Sequence, residues 1–216
     1  MMKEHFDIED IRNVVKSLTS EKRFSHIIGV EKEAYELGKI FLPEKSEKLK
    51  LAGLLHDITK NFSYDKQIEL CKEYKIMLDE YTVPKMLHSK TGCEFAKRTF
   101  GEDVVDDEIY SAIYYHTTGK ENMSLFQAII YLADYIEETR TFPDCITLRC
   151  YFYDKIKNAV SYKDKLKALR DTLILSFDMT LKNLIEENKV IDFDSIKARN
   201  YYILNEECFK TEDVDG

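Results

Sequence analysis

A histidine and an aspartate stand side by side at the end of an apolar stretch, and this pair limits how the chain can fold. Residues 51–60 read LAGLLHDITK, so His56 and Asp57 follow an apolar run. Neighbouring residues of a helix do not share a face, so the two side chains need different partners or one object that meets both. A metal cluster is such an object. The alternative is a helix end at which one of the two side chains is solvated.

Two neighbours of the pair favour a binding site. Gly53 has no side chain, three and four positions before the pair, and we expect it to leave space on the face where a ligand would lie. Lys60 follows Asp57 by three residues and His56 by four, which places a cation one helical turn beyond both. The pair is therefore expected to lie beside a space that a ligand can occupy.

The other histidines are placed in a similar way along the chain. Of five histidines, His5 lies in the polar leader, and the remaining four are separated by 30, 32 and 28 residues. Each of the four lies in or beside a segment with helical periodicity, and Asp134 lies within an apolar helix, where a lone carboxylate is costly to bury. Packed or solvated histidines and a solvated Asp134 remain the alternatives. The candidate metal ligands are His26, His56, Asp57, His88, His116 and Asp134.

Composition indicates a helix-rich protein with a core of its own. The chain has 216 residues, of which 44% are hydrophobic and 33% charged, with seven Gly and three Pro. A net charge of −8 argues against a nucleic-acid polymer as partner, although a metal and a few cations can still attract a small anion. The five cysteines include no Cys-x-x-Cys pair. The N-terminal leader lacks the apolar core of a signal peptide, and no run approaches the ~18 apolar residues of a membrane span. We expect reduced thiols, a cytoplasmic location and no membrane partner.

Helical periodicity continues along nearly the whole chain, and no strand-turn-strand alternation is present, which predicts an all-α single domain. The domain is expected to cover residues 1–210, with the site in a core of about 23–143, C-terminal helices at about 145–206 and a frayed acidic tail at 211–216. The apolar stripe of residues 163–187 predicts either core packing or the face of a homodimer. Helices are predicted over about 8–20, 23–41, 44–60, 64–74, 86–100, 106–116, 125–138, 146–153, 163–187 and 193–205.

In their order along the chain, the six candidate ligands resemble the metal-binding signature of the HD-domain superfamily. Residues 52–60 (AGLLHDITK), 116–119 (HTTG) and 131–140 (YLADYIEETR) are similar to the YqeK family of HD hydrolases, and the resemblance covers about residues 23–143. It implies an HD-domain helical bundle that binds iron or a similar ion and cleaves diadenosine tetraphosphate symmetrically to two molecules of ADP. It also implies that His26, His56, Asp57 and Asp134 bind one metal, and that His88 and His116 bind a second, which Asp57 bridges.

The donor types can also be interpreted by their chemistry. Four imidazoles and two carboxylates suit Fe, Mn, Co, Ni or Zn, as one or two ions, better than Mg or Ca. Asp57 and Lys60 are the catalytic candidates, with Lys60 expected to stabilise negative charge that develops on the phosphate or leaving diphosphate. Arg23 and Arg140 are further candidates for binding the polyphosphate, with a surface salt bridge as the alternative for each. Thr117, Thr118 and Gly119 are candidates for shaping the pocket mouth. Candidates for stacking on an adenine are Tyr114, Tyr115 and Tyr131, for which core packing is the alternative.

Several functions remain open on the sequence alone. The same ligands would serve a phosphohydrolase for another nucleotide, such as a guanosine polyphosphate, a dNTP or a cyclic nucleotide. They would also serve a di-iron oxygenase with an organic substrate. A non-catalytic regulatory module, based on the long stripe after Lys163, is a third alternative.

Overall fold

Capping residues determine where most helices of the chain begin. The side chains of Ser20, Ser63, Asp106, Ser124 and Ser161 each accept a hydrogen bond from a backbone N–H in the first turn of the following helix. The computed structural model describes residues 7–78 and 82–209. In these residues the α-helices are α1 (Ile8–Leu18), α2 (Glu21–Phe41), α3 (Ser46–Leu55), α4 (Tyr64–Glu73), α5 (Leu87–Phe100), α6 (Asp107–Tyr115), α7 (Leu125–Ile136), α8 (Pro143–Asn158), α9 (Tyr162–Glu186) and α10 (Phe193–Leu204).

The buried helix α7 lies at the centre of the fold. Every residue of α7 except the half-buried Tyr135 is buried, and α2, α3, α6 and α8 all pack around this helix. A helix that is apolar on every side needs such a shell, because no face of it can be left to water. Asp134 is thus carried into the interior by a helix whose other residues are mostly hydrophobic.

Helices α2 and α3 approach each other closely, and Gly53 makes this approach possible. A Cβ atom at Gly53 would lie 2.9 Å from the Val30 carbonyl oxygen and 3.1 Å from the Glu31 Cα. The expectation that Gly53 leaves space for a ligand was therefore wrong, because the space is filled by the backbone of α2.

The C-terminal helices cover the remaining side of the core. On α9, Leu166, Leu169, Leu173 and Phe177 are buried, and the Phe177 ring packs 5.0 Å from that of Tyr131. The next two positions of the stripe, Leu181 and Leu184, are half-buried. The first part of the stripe is thus core, and only its end is partly open to solvent.

The all-α single-domain prediction is confirmed, and no strand is present among residues 7–78 and 82–209. Two helix predictions were wrong in their bounds. The third helix ends at Leu55 rather than near residue 60, because three-residue turns follow in which Ile58, Lys60 and Phe62 donate to carbonyls three residues earlier. The predicted helix 146–153 runs over Pro143–Asn158, since Pro143 suits the first helical position.

The predicted acidic tail at 211–216 lies outside the described residues, as do positions 1–6, 79–81 and 210 of the predicted domain. None of the helices that the structure describes combines the length and the apolar character needed to cross a membrane.

Candidate metal centre

The six predicted ligands come from five parts of the fold and converge in the interior. His26 lies in the second turn of α2, His56 and Asp57 directly follow α3, and His88 lies in the first turn of α5. The remaining two are His116, the residue after α6, and Asp134 on α7. None of the six is more than 9% exposed. Helix ends and one buried helix therefore direct all six side chains into one site.

Asp57 is the central carboxylate, and its two oxygens face different histidines. Oδ2 lies 3.5 Å from His56 Nε2 and 3.7 Å from His26 Nε2. Oδ1 lies 3.2 Å from His88 Nε2 and 3.6 Å from His116 Nε2. A carboxylate in this position is able to contact two ions at once.

The donor atoms form two sets with the spacing of a metal site. Ligand atoms of His26, His56 and Asp134 lie within 4.8 Å of one another, and so do those of His56, Asp57 and His116. His88 joins the second set, because its Nε2 lies 3.1 Å from that of His116. We call His26, His56 and Asp134 the first ligand group, and His88 and His116 the second ligand group.

Backbone carbonyls fix the orientation of two imidazoles. His56 Nδ1 lies 2.7 Å from the Gly53 carbonyl oxygen, and His116 Nδ1 lies 2.7 Å from that of Ile113. A carbonyl only accepts, so Nδ1 carries the proton in both rings and Nε2 presents its lone pair to the site. Each histidine directly follows a helix and binds a carbonyl in the last turn of that helix, three residues before it.

Among the residues that the structure describes, three buried polar atoms at the centre form no well-oriented hydrogen bond, although His26 Nε2 lies 3.0 Å from Asp134 Oδ1: His26 Nε2, His56 Nε2 and Asp57 Oδ1. Buried acceptors without a partner are unusual and destabilising. A divalent cation would satisfy all three together, and imidazole nitrogen with carboxylate oxygen is a donor set that transition metals prefer. The residues therefore fit a metal.

Burial and charge keep four of the donors in the protonation states that metal binding needs: His56, His88, Asp57 and Asp134. Burial lowers the pKa of His56, and it lowers the pKa of His88 to about 4, so both imidazoles are neutral near pH 7. Burial alone would raise the pKa of Asp57, but the His56 ring and the other imidazoles outweigh it and hold that pKa well below its usual range. The pKa of Asp134 is likewise lowered, with Arg140 providing the largest opposition to burial.

The three predicted cations all lie at the cluster. Arg23 Nη1 donates to Asp57 Oδ2 at 2.7 Å, and Arg140 forms an ion pair with Asp134. Lys60 Nζ lies 3.0 Å from His88 Nε2 and 3.2 Å from His88 Nδ1. Burial lowers the pKa of Lys60. Neither arginine forms a mere surface salt bridge, because each contacts a candidate ligand carboxylate.

The residues after His116 separate into two groups. The Thr117 hydroxyl lies 3.1 Å from His116 Nε2 and 3.3 Å from His88 Nε2. The Thr118 carbonyl instead accepts a hydrogen bond from the Ser195 hydroxyl of α10, at 3.0 Å. At Gly119 a Cβ atom would lie 2.7 Å from the Phe177 ring of α9, and its φ of +63° favours glycine. Thr117 therefore reaches the imidazoles, while the next two residues pack against the C-terminal helices.

The tyrosines proposed for stacking differ in exposure. Tyr131 is 1% exposed and its hydroxyl lies 3.2 Å from that of Ser176, so it belongs to the core. Tyr114 and Tyr115 are half-buried, and the ammonium groups of Lys90 and Lys120 lie over their rings.

Sequence reasoning missed a carboxylate behind His26. Glu137 Oε1 lies 3.0 Å from His26 Nδ1, and Glu137 is fully buried. Its position three residues after Asp134 was the available signal, but the helix was predicted to continue to about residue 138 and Glu137 was assigned no role. Such a residue cannot be separated by sequence from its neighbour Glu138, which is exposed and paired with Lys32.

Comparison with known proteins decides the family. The family model described as "HD domain" matches residues 23–139, which is more than half of the chain. The chain belongs to the HD domain family. An HD domain implies a divalent metal, and the two sets of donor atoms provide places for it.

Relatives within the family match nearly the whole chain. It is 28% identical to a Staphylococcus aureus protein named symmetrical bis(5'-nucleosyl)-tetraphosphatase, over 95% of this chain and 100% of that one. A Bacillus subtilis protein of the same name is 29% identical, over 90% and 97%. A Clostridium acetobutylicum crystal structure, described as a predicted HD superfamily hydrolase involved in NAD metabolism, superimposes with a TM-score of 0.80 at 33% identity, covering 92% of this chain and 98% of that one.

Proposed function

We propose that this HD-domain protein is a metal-dependent phosphohydrolase that cleaves diadenosine tetraphosphate symmetrically to two molecules of ADP. The observation that carries the proposal is the buried cluster centred on Asp57, with Arg23, Lys60 and Arg140 around it. Such a cluster combines metal-ligand donors with cations that can bind phosphate oxygens. The relatives that bear the symmetrical tetraphosphatase name agree with this substrate.

The residues that would hold the metal are the first ligand group, the second ligand group and Asp57, which would bridge two ions. We propose iron as the ion, with Mn, Co, Ni or Zn as alternatives that the same donors accept. When bound, the metal supplies a Lewis acid that lowers the pKa of a water molecule and withdraws charge from the phosphate. The support for a transition metal is the excess of imidazole nitrogen over carboxylate oxygen among the donors.

The protein's own cations would bind the tetraphosphate. Arg23 and Arg140 lie beside the carboxylates of Asp57 and Asp134, so phosphate oxygens that reach the ligands also come within reach of both guanidinium groups. Lys60 stabilises the charge that develops on the leaving diphosphate, since the residue is half-buried and its ammonium group is therefore less screened by water than a surface group. Because the central anhydride is broken, both products are ADP.

The loop after His116 has two proposed roles. Thr117 lines the site, because its hydroxyl contacts the second ligand group. Thr118 and Gly119 shape the pocket mouth indirectly, by holding the loop against α9 and α10.

Product analysis tests the proposal. Protein purified without chelator is analysed for metal, and is then assayed with diadenosine tetraphosphate in the presence of Fe²⁺, Mn²⁺, Co²⁺, Ni²⁺ or Zn²⁺. ADP should be the sole nucleotide product. The products AMP and ATP would refute symmetrical cleavage. Faster hydrolysis of a guanosine polyphosphate, a dNTP or a cyclic nucleotide would mean that this nucleotide, and not diadenosine tetraphosphate, is the substrate. Oxygen consumption without phosphate release would favour an oxygenase. Metal content and activity that are both unchanged in His56→Ala and Asp57→Ala would favour a regulatory module.

Three further expectations belong to the proposal. We propose one domain over residues 1–210 and a cytoplasmic location, which the free cysteines among the described residues support. We also propose a homodimer through the open end of the stripe on α9. Leu184 lines a cavity of about 370 Å³ there, beside the exposed Phe142. Sedimentation of wild type and Leu184→Glu tests the dimer, since the charge should yield monomers only if this face is the interface.

A further inference from the structure

Glu137 is a buried carboxylate that the catalytic scheme above does not use. It is 0% exposed, and its Oε1 lies 3.0 Å from His26 Nδ1. His26 Nε2, on the other side of the same ring, lies 3.0 Å from Asp134 Oδ1 and 3.7 Å from Asp57 Oδ2. The imidazole therefore stands between a carboxylate outside the metal centre and the donors inside it.

The surroundings of Glu137 keep its carboxylate in one place. The backbone N–H of Thr139 donates to Oε2 at 2.6 Å, and the Thr139 hydroxyl donates to Oε1 at 2.7 Å. On α8, the guanidinium group of Arg149 donates to the carbonyls of Ile136, Glu137 and Arg140, which holds the segment after α7. The two donors of Thr139 favour the ionised carboxylate, and an ionised carboxylate can only accept a hydrogen bond from His26.

Gly29 provides the space that Glu137 occupies. A Cβ atom at Gly29 would lie 2.1 Å from Glu137 Oε2 and 2.9 Å from Glu137 Cδ. A side chain on α2 at this position would force the carboxylate away from His26. Gly29 and Glu137 are 108 positions apart in the sequence, and the lack of a side chain at Gly29 allows the Glu137 carboxylate to reach His26.

We propose that Glu137 is a positioning residue for the metal centre: it holds the proton of His26 on Nδ1, so that the Nε2 lone pair is directed at the metal. Carboxylate–histidine–metal arrangements fix the tautomer and raise the basicity of the ligand. In His56 and His116 a neutral carbonyl holds the proton on Nδ1, so His26 is the one of these three residues whose Nδ1 has an anionic partner. The inference rests on the proposed function, because it takes His26 as a metal ligand.

The test compares four variants with wild type. Glu137→Ala removes the acceptor, and Gly29→Ala displaces it without altering either partner. Glu137→Gln retains one acceptor oxygen but turns an NH₂ group towards the Thr139 N–H, so an intermediate effect is expected. Glu138→Ala is the matched control, because this neighbouring carboxylate is exposed and pairs with Lys32.

Two measurements separate positioning from a general structural role. In metal-depleted, ¹⁵N-histidine-labelled protein, NMR identifies which nitrogen of His26 carries the proton. Cobalt(II) titration, followed by the visible absorption of the bound ion, gives the dissociation constant. Glu137→Ala and Gly29→Ala should show loss of the Nδ1-protonated form and about 10- to 100-fold weaker cobalt binding, and the Glu138→Ala values should equal wild type.

The possible results are distinguishable. The inference is overturned if Glu137→Ala and Gly29→Ala bind cobalt within about threefold of wild type, or if His26 remains protonated on Nδ1 in both. Wild type that binds no cobalt would overturn the proposed function as well. If the alanine variant at Glu137 does not fold, Glu137→Gln and Gly29→Ala still decide, because cobalt binding by these two at wild-type strength contradicts the proposal.

Discussion

The two ligand groups of the metal centre are built differently. The first ligand group includes the carboxylate of Asp134, is backed by the carboxylate of Glu137, and contacts the cation of Arg140. The second ligand group has two imidazoles and shares Asp57, while the ammonium group of Lys60 lies against His88. Affinity for a cation rises with the negative charge and rigidity of its ligands. We therefore expect a tightly held ion in the first group and a more readily exchanged ion in the second.

Asp57 faces each ligand group with one of its two oxygens, so its loss should have the largest effect. In Asp57→Asn one oxygen is replaced by an amide nitrogen that cannot bind a metal, and Arg23 loses its ionic partner. We expect both ions to be lost and the hydrolysis rate to fall by at least about 10³-fold. Metal analysis and a rate assay check this. Asp65→Asn, at an exposed position of α4, is the control and should retain metal and rate. Full metal content in Asp57→Asn would contradict a bridging role.

Separate histidine variants test whether the groups differ. A chelator titration of wild type loaded with Mn²⁺ should show two phases of metal loss. His88→Ala should remove the weaker phase and lower activity by roughly 10²- to 10³-fold, because one of two ions is absent. His26→Ala should remove the tighter phase. If both variants lose metal in the same way, the groups are not independent and the comparison fails.

A variant of Lys60 tests whether metal binding and charge stabilisation depend on different residues. Lys60→Met keeps much of the side-chain volume and removes the charge beside His88. We expect the kcat for diadenosine tetraphosphate to fall about 10²-fold, with metal content unchanged or higher. Lys72→Met, at an exposed position of α4, serves as the control. A rise in KM at unchanged kcat would assign Lys60 to ground-state binding instead.

The pH dependence of stability in the metal-depleted protein examines the second ligand group through His88. The pKa of His88 is about 4 in the folded protein, below its ordinary value of 6.5. Below pH 6.5 the unfolded chain takes up a proton that the folded protein does not, so stability is full above that pH and falls towards pH 4. His88 should account for about 1 kcal/mol of lost unfolding free energy between pH 7 and pH 5.5.

Urea denaturation at several pH values measures this effect. In His88→Gln, which has no titrating ring, the dependence on pH over the same range should be weaker by that amount. His56 acts in the same direction, since burial lowers its pKa too. Equal profiles for wild type and His88→Gln would mean that His88 is not held in a poorly solvated, neutral state.

The C-terminal helices show a limit of sequence reasoning. The stripe on α9 predicted either core or interface, and periodicity does not distinguish them, because both need an apolar face. The structure places Leu173 and Phe177 in the core, and the Phe177 ring packs against Gly119, the last residue of the HTTG loop at 116–119. Ser195 on α10 binds the same loop. These helices thus support the loop next to His116, which no local pattern indicates.

By itself, the sequence determined the helical class and the six candidate ligands. Periodicity and capping are local properties, and a histidine or carboxylate next to an apolar run is visible without knowing its partners. Only the tertiary structure decided that Gly53 faces α2 rather than a ligand, that the third helix ends at Leu55, and that Glu137 supports His26 while Glu138 points to solvent. The physical reason is that each of these depends on which backbone or charge approaches from a distant part of the chain, and residue spacing along one helix contains no information about that approach.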